Sequence, residues 1–380
     1  MQKIFSFFNQ YSLLISISFL VILFLAFFPQ TFTTVDEYGY LANSRNLIHS
    51  NLRQECHPYE PAFYPVKDYC VPKYNIGTSL FLATTAAFPQ RISFIIPFLT
   101  FLTGIIYFSK LLKFFKIQQI YLYFFAFFPT FIYFSRTLLS ETFSAVLVLI
   151  IFYYLLKFFN KQKLFYGILI GLLGGLLVLV KYSNAILLII LLGGFFFQNV
   201  KKFSIKQNMQ LIYKVLLGAL PIIIFFFWIN NYLYGNPLRS GYFYSHEQSL
   251  FVISNVPLMT IRYFLILNLL YPGMLISNFL TKFKYRNLIL ATIITFILFF
   301  STFPGNNGAF QGRILDLILG ARFLIPVIPL SLLLYFQWLN RLIKERFQGI
   351  ILLTILIMAL VITLESLLHQ NFLLHYQFAG

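Results

Sequence analysis

The chain carries only ten acidic residues among 380, so the place of each one is informative. Asp36 and Glu37 stand side by side in Thr33-Thr34-Val35-Asp36-Glu37-Tyr38-Gly39-Tyr40. Neighbours on a helix point about 100° apart, so the two carboxylates cannot both face one atom. One reading makes Thr34 or Asp36 an N-cap beside a helix-dipole carboxylate. The other makes one acid a general base and its neighbour a residue that positions a metal or an acceptor hydroxyl. Glu141 heads a long apolar run with Arg136 nearby. An acid at a span end invites a functional reading, and an Arg–Glu pair tying two helix ends is the structural one. Lys181 lies in a tight turn between two apolar runs, where an ammonium either snorkels to the interface or meets a phosphate. Arg322 opens another apolar run, and its planar fork suits phosphate. The glycine-rich stretch 304–313 offers backbone N–H groups to an anion, or is an ordinary loop.

These residues need elements to hold them. The composition is 59% apolar and 10% charged, with mean hydropathy +0.81. A soluble domain carries about 25% charge, so this chain reads as a multi-span membrane protein. The net charge of +18 does not imply nucleic acid, because the basic residues interrupt apolar runs instead of forming a patch. Eleven windows are long enough to cross, at about 11–29, 91–109, 119–135, 142–157, 164–180, 183–198, 214–230, 257–280, 287–303, 322–340 and 348–365. The first ends without a small-residue cleavage site and reads as an uncleaved helix. With the N-terminus cytoplasmic, 17 of the 28 basic residues fall in short inner loops, whereas Glu345 is the one acid placed there. The expected fold is an all-α membrane protein, one polytopic domain over 1–380 with no separate soluble domain. Its first outer loop, 30–90, should carry a short interfacial helix along Tyr40, Leu41, Ser44 and Leu47. Cys56 and Cys70 share that loop, as a disulfide or as two unpaired thiols. Gly167, Gly171 and Gly175 read as close helix packing, and the phenylalanines as mostly lipid-facing. No ATP-binding or dinucleotide motif is present.

Taken in order, these pieces resemble the GT-C superfamily of glycosyltransferases that use polyprenyl-phosphate-linked sugars, particularly the protein mannosyltransferase and lipid A aminoarabinose transferase branch, family 39-type. The resemblance rests on Asp36-Glu37-x-x-Tyr40-x-x-x-Ser44-Arg45, Tyr74-Asn75-Ile76-Gly77-Thr78-Ser79-Leu80 and Arg136-x-x-x-Ser140-Glu141. Lys181-Tyr182-Ser183-Asn184, Tyr234-Gly235-Asn236-Pro237-Leu238-x-Ser240-Gly241-Tyr242 and Arg322-Phe323-Leu324-x-Pro326-x-x-Pro329 complete it. The tandem proline usual after the first loop is absent.

The resemblance implies an integral enzyme of a bacterial inner membrane with an extracytoplasmic site. It would move a sugar from a polyprenyl phosphate to a hydroxyl on a lipid, glycan or protein. Asp36 would be the general base; Lys181, Arg322 and Arg136 would bind the donor phosphate. Glu37 and Glu141 would position the acceptor or a divalent cation, and Tyr40 and Tyr242 would touch substrate. The rival reading is a transporter or flippase of a lipid-linked or small polar substrate. It would need ionisable or broken helices near mid-depth, often in two similar halves. Here the spans hold almost no mid-depth acids, no repeat is visible, and the polar residues gather at one face.

Overall fold

The computed structural model describes residues 2–56, 62–66, 68–199, 204–243, 252–303, 314–342 and 345–369. The glycine-rich stretch 304–313 lies outside them. The protein is a multi-pass helical bundle. Short α1 (Gln2–Gln10) leads into apolar α2 (Ser12–Ala26), and α3 (Val35–Ile48) follows. An antiparallel hairpin, β1 (Phe63–Val66) and β2 (Tyr69–Pro72), then delivers the chain to α4 (Ile76–Leu82). Next come α5 (Gln90–Ser93), α6 (Ile95–Phe114), α7 (Leu122–Ala126), α8 (Pro129–Phe134) and α9 (Ser140–Lys161). The long hairpins follow as α10 (Leu164–Val180), α11 (Asn184–Asn199), α12 (Ile205–Tyr234), α13 (Val256–Leu270), α14 (Met274–Leu280) and α15 (Arg286–Ser301). Last are α16 (Ile314–Gly320), a 3₁₀ turn over Arg322–Val327, α17 (Ile328–Leu342) and α18 (Glu345–His369).

Among the described residues, five helical segments are long and apolar enough to cross a membrane: Gln90–Phe114, Ser140–Lys161, Ile205–Tyr234, Ile253–Leu270 and Arg322–Arg341. Five shorter apolar helices overlap further expected windows. The window 119–135 differs, because it is three short pieces instead of one span. Its break falls at Phe128, which is held extended ahead of Pro129. The proline ring disfavours helix in the residue before it, so the helix restarts with Pro129 in its first turn.

Burial separates the helices by role. The apolar windows of Ser140–Lys161 and Arg322–Arg341 are each 78% buried, against 17% for Ile205–Tyr234. So α9 and α17 form the middle of the bundle, and α12 lies at its periphery. The phenylalanines correct the expectation made for them: among the described residues 20 are buried and 10 are exposed. Twice as many build the core as lie exposed, as in the stacked pair Phe108–Phe125 at 4.2 Å. Small residues do join α10 to α12. A Cβ on Gly171 would overlap the Val215 carbonyl, and one on Gly218 would overlap that of Ile168. Close backbone approach of this kind is what spaced glycines permit.

The hairpin beside α3 is tied down twice. Cys56 and Cys70 form a disulfide with Cα atoms 5.0 Å apart, and Gln54 exchanges backbone hydrogen bonds with Cys70. The Arg53 guanidinium lies between the rings of Tyr69 and Tyr232, 4.4 and 4.3 Å from their centroids, linking the hairpin to the end of α12. The bridge closes a loop spanning a sequence separation of 14. Loss of such a loop constraint costs about 3 kcal/mol. Replacing both cysteines with serine should therefore speed amide exchange across Tyr69–Pro72 by about 100-fold, read by deuterium uptake in the purified protein. Unchanged exchange would mean that the Arg53 contacts alone hold the hairpin.

Candidate active site

One end of the bundle gathers charges from four distant parts of the chain. Asp36 comes from the first turn of α3 and Glu141 from the first turn of α9. Lys181 ends α10 in extended backbone, and Arg322 begins the 3₁₀ turn that packs on α9. Arg322 is the hub. Its Nη2 donates to Asp36 Oδ2 at 2.6 Å and its Nε donates to Glu141 Oε1 at 3.0 Å. Lys181 Nζ donates to the same Glu141 oxygen at 3.3 Å. The Lys181 ammonium lies 4.5 Å from the Phe323 ring centroid and 5.3 Å from that of Phe300, an aromatic seat for a cation.

The cluster is graded in exposure. The Asp36 side chain is 33% exposed and Glu141 only 1%, with Arg322 and Lys181 between them at 22% and 19%. Solvent therefore reaches Asp36 first, while Glu141 holds both cations from beneath.

Residues at i, i+3 and i+4 share one face of a helix, which places Asp36, Gly39 and Tyr40 together on α3. Tyr74, just after β2, lays its ring across Gly39, where a Cβ would overlap the ring, and donates its hydroxyl to Asp36 Oδ1 at 2.8 Å. The Tyr40 and Tyr74 centroids are 5.0 Å apart, and Tyr242 meets Tyr74 edge-on at 6.4 Å. Tyr40 also shares a hydrogen bond with the Ser140 side chain. Asn43 donates to Ser79 Oγ, and Ser79 donates to the Tyr40 carbonyl, fixing α3 against α4. Tyr40 and Tyr242, expected at the site from sequence, thus border Asp36. Sequence alone offers Tyr74 only as part of the Tyr74–Leu80 motif and gives no sign that the Lys73 charge bears on Asp36. The glycine three residues after Asp36 was the available signal, since it marks where another side chain must lie.

Glu37 is turned elsewhere. Its Oε1 accepts from the Thr33 N–H at 2.8 Å and from the Thr33 hydroxyl, and its Oε2 accepts from the Leu138 N–H at 2.9 Å. It therefore fastens the start of α3 to the turn before α9. The expected capping by Thr34 or Asp36 is not found, as Thr34 makes no side-chain cap bond and Asp36 faces Arg322. Arg136 reaches back to the Phe27 carbonyl beyond α2.

Burial opposes ionisation of Asp36, but the Arg322 guanidinium, hydrogen bonds from Arg322 and Tyr74, and the Lys73 charge outweigh it and hold its carboxyl below the ordinary value. Burial pushes the Glu37 carboxyl up to about 7, against the Thr33 and Leu138 donors. Burial, then the Asp36 charge, raises the Tyr74 phenol, so Tyr74 remains a donor to Asp36. A divalent cation does not fit Glu37 or Glu141 as arranged. The Glu37 oxygens face three N–H and O–H donors, Glu141 Oε1 faces two cations, and the Ser140 hydroxyl lies 3.4 Å from Glu141 Oε2. Among the described residues no group of three or more His, Cys, Asp or Glu side chains forms a metal-ligand set.

A search of solved structures finds the same arrangement of helices in ArnT from Cupriavidus metallidurans, whose crystal structure is bound to undecaprenyl phosphate. The TM-score is 0.58 at 13% sequence identity, over 90% of this chain. The fold is ArnT-like. The match covers 62% of the ArnT chain, so this chain spans less than two thirds of its length. No family model matches the sequence, and no curated protein does. The ArnT-like bundle thus supplies the frame, and the charge cluster at its end supplies the site.

Proposed function

We propose that this protein is an integral membrane glycosyltransferase that moves a sugar from a polyprenyl-phosphate donor to an acceptor hydroxyl, with Asp36 as general base. The observation that carries the reading is the Asp36–Arg322–Glu141–Lys181 chain at one end of an ArnT-like bundle. The ArnT structure that shares this fold is seen with undecaprenyl phosphate, a lipid phosphate. The chemistry matches these side chains. The acceptor oxygen forms a bond to the anomeric carbon, its proton passes to Asp36, and the bond from that carbon to the phosphate oxygen breaks. The polyprenyl phosphate leaves with the bonding electron pair and gains one negative charge. Arg322 and Lys181 stand where that charge develops, in a partly buried setting that strengthens their effect. Glu141 positions both cations.

The extracytoplasmic side is supported by charge and by sulfur chemistry. Lys113 and Arg341 occupy the last turns of α6 and α17, at the opposite end of the bundle from Glu141 and Arg322. The Cys56–Cys70 disulfide suits an oxidising compartment. Sealed inner-membrane vesicles of both orientations test the assignment, given a lipid-linked sugar and a membrane-impermeant acceptor. Transfer should occur only in right-side-out vesicles; transfer confined to inverted ones would contradict it.

The tyrosine bordering Asp36 gives a further expected result. Tyr74→Phe removes one hydrogen bond to a charged group, and Gly39→Ala displaces the same ring. Each should lower transfer by about tenfold, since such bonds contribute roughly 1.5–3 kcal/mol. Rates measured at saturating donor check this, and full activity in Gly39→Ala would show that the ring need not lie there.

A further inference from the structure

The contact that places Asp36 in the site also occupies it. Arg322 Nη2 donates to one carboxylate oxygen and Tyr74 to the other. Lone pairs remain on both oxygens, but a carboxylate held by a guanidinium is a weaker base than a released one. The guanidinium presents two edges for gripping phosphate with paired N–H groups, Nε with Nη2 and Nη1 with Nη2. Nη2 belongs to both. Nη2 has two N–H groups and Asp36 accepts from one at 2.6 Å, so an anion gripped through the other is drawn beside the Asp36 carboxylate, like charge against like charge.

Resting on the transferase reading above, we propose that the donor phosphate and Asp36 compete for Arg322, so that donor binding detaches Asp36 and frees it to act as base. Asp36 is the partner that yields. Its side chain is 33% exposed against 1% for Glu141, so released Asp36 is the carboxylate that water can rehydrate. Glu141 is 1% exposed and is shared by Arg322 and Lys181, so that pairing persists while Nη2 changes partner. Glu141 is then a positioning residue that keeps the guanidinium aimed during the exchange. The order of binding follows: donor first, with the acceptor deprotonated only when the phosphate is seated.

Equilibrium titration of the purified full-length protein with undecaprenyl phosphate in detergent tests this. Asp36→Asn removes the competitor and should bind the lipid phosphate roughly three- to tenfold more tightly than wild type, while losing transfer. Glu141→Gln removes the same charge from the cluster but spares the competitor, and should bind no more tightly than wild type. Should Asp36→Asn fail to purify folded, Asp36→Ser provides the same measurement. Equal or weaker binding by the Asp36 variant overturns the competition, as does equal tightening in both variants, which would reflect the general field alone. If wild type binds no undecaprenyl phosphate, the transferase reading itself falls and the competition with it.

Discussion

Asp36→Asn is expected to leave a folded, membrane-inserted protein whose sugar transfer is reduced by about 10²–10⁴-fold, the usual contribution of a positioned general base. The amide matches the carboxylate in shape. It can still accept from the Tyr74 hydroxyl, so α3 and the hairpin keep their contact. It cannot take the acceptor's proton. The loss should appear in kcat, with donor binding not weakened, and that split separates a missing base from a collapsed site. A Glu37→Gln comparison sharpens the point. Glu37 contacts Thr33 and Leu138, so that variant should lose thermal stability before it loses chemistry.

The second large effect belongs to Arg322. Arg322→Ala should reduce transfer by about 10²–10³-fold, comparable with removal of one donor from a site where negative charge develops. It also leaves Glu141, at 1% exposure, with Lys181 as its remaining ion-pair partner at 3.3 Å. A buried acid stripped of one cation is destabilising, so the melting temperature should fall as well. Arg322→Lys separates the two contributions. An ammonium is a point charge that can meet Glu141 or Asp36, but it cannot bridge both as the planar guanidinium does. This variant should regain most of the stability and only part of the rate. Full activity in Arg322→Lys would show that bridging is not used.

The sequence made some of this legible because local geometry dictates it. The helical spacing of Tyr40, Leu41 and Ser44 places α3, and the 100° step between Asp36 and Glu37 separates their directions. Which of the two faces the cluster was not legible. That depends on Arg322, 286 residues away from Asp36 in the chain, and on Leu138, 101 residues away from Glu37. Composition likewise could not locate the phenylalanines, since lipid and protein core are equally apolar and packing decides between them. The span expected over 119–135 met its limit at Pro129, where hydropathy is blind to the backbone constraint on Phe128. Arg136 illustrates the remaining difficulty. An arginine near a span start reads as a phosphate ligand, and nothing in its sequence neighbourhood shows that it also bonds the Phe27 carbonyl just past α2.

We propose that this site breaks the bond between a sugar and a lipid phosphate. The most direct test is to give the purified wild-type protein and its Asp36→Asn variant a polyprenyl-phosphate sugar labelled in the sugar, with candidate acceptors, and to follow both products by mass spectrometry. Wild type should release free polyprenyl phosphate in step with labelled acceptor, and the variant should release neither at an appreciable rate. Equal release by the two proteins, or sugar flux across sealed vesicles with the donor left intact, would contradict it.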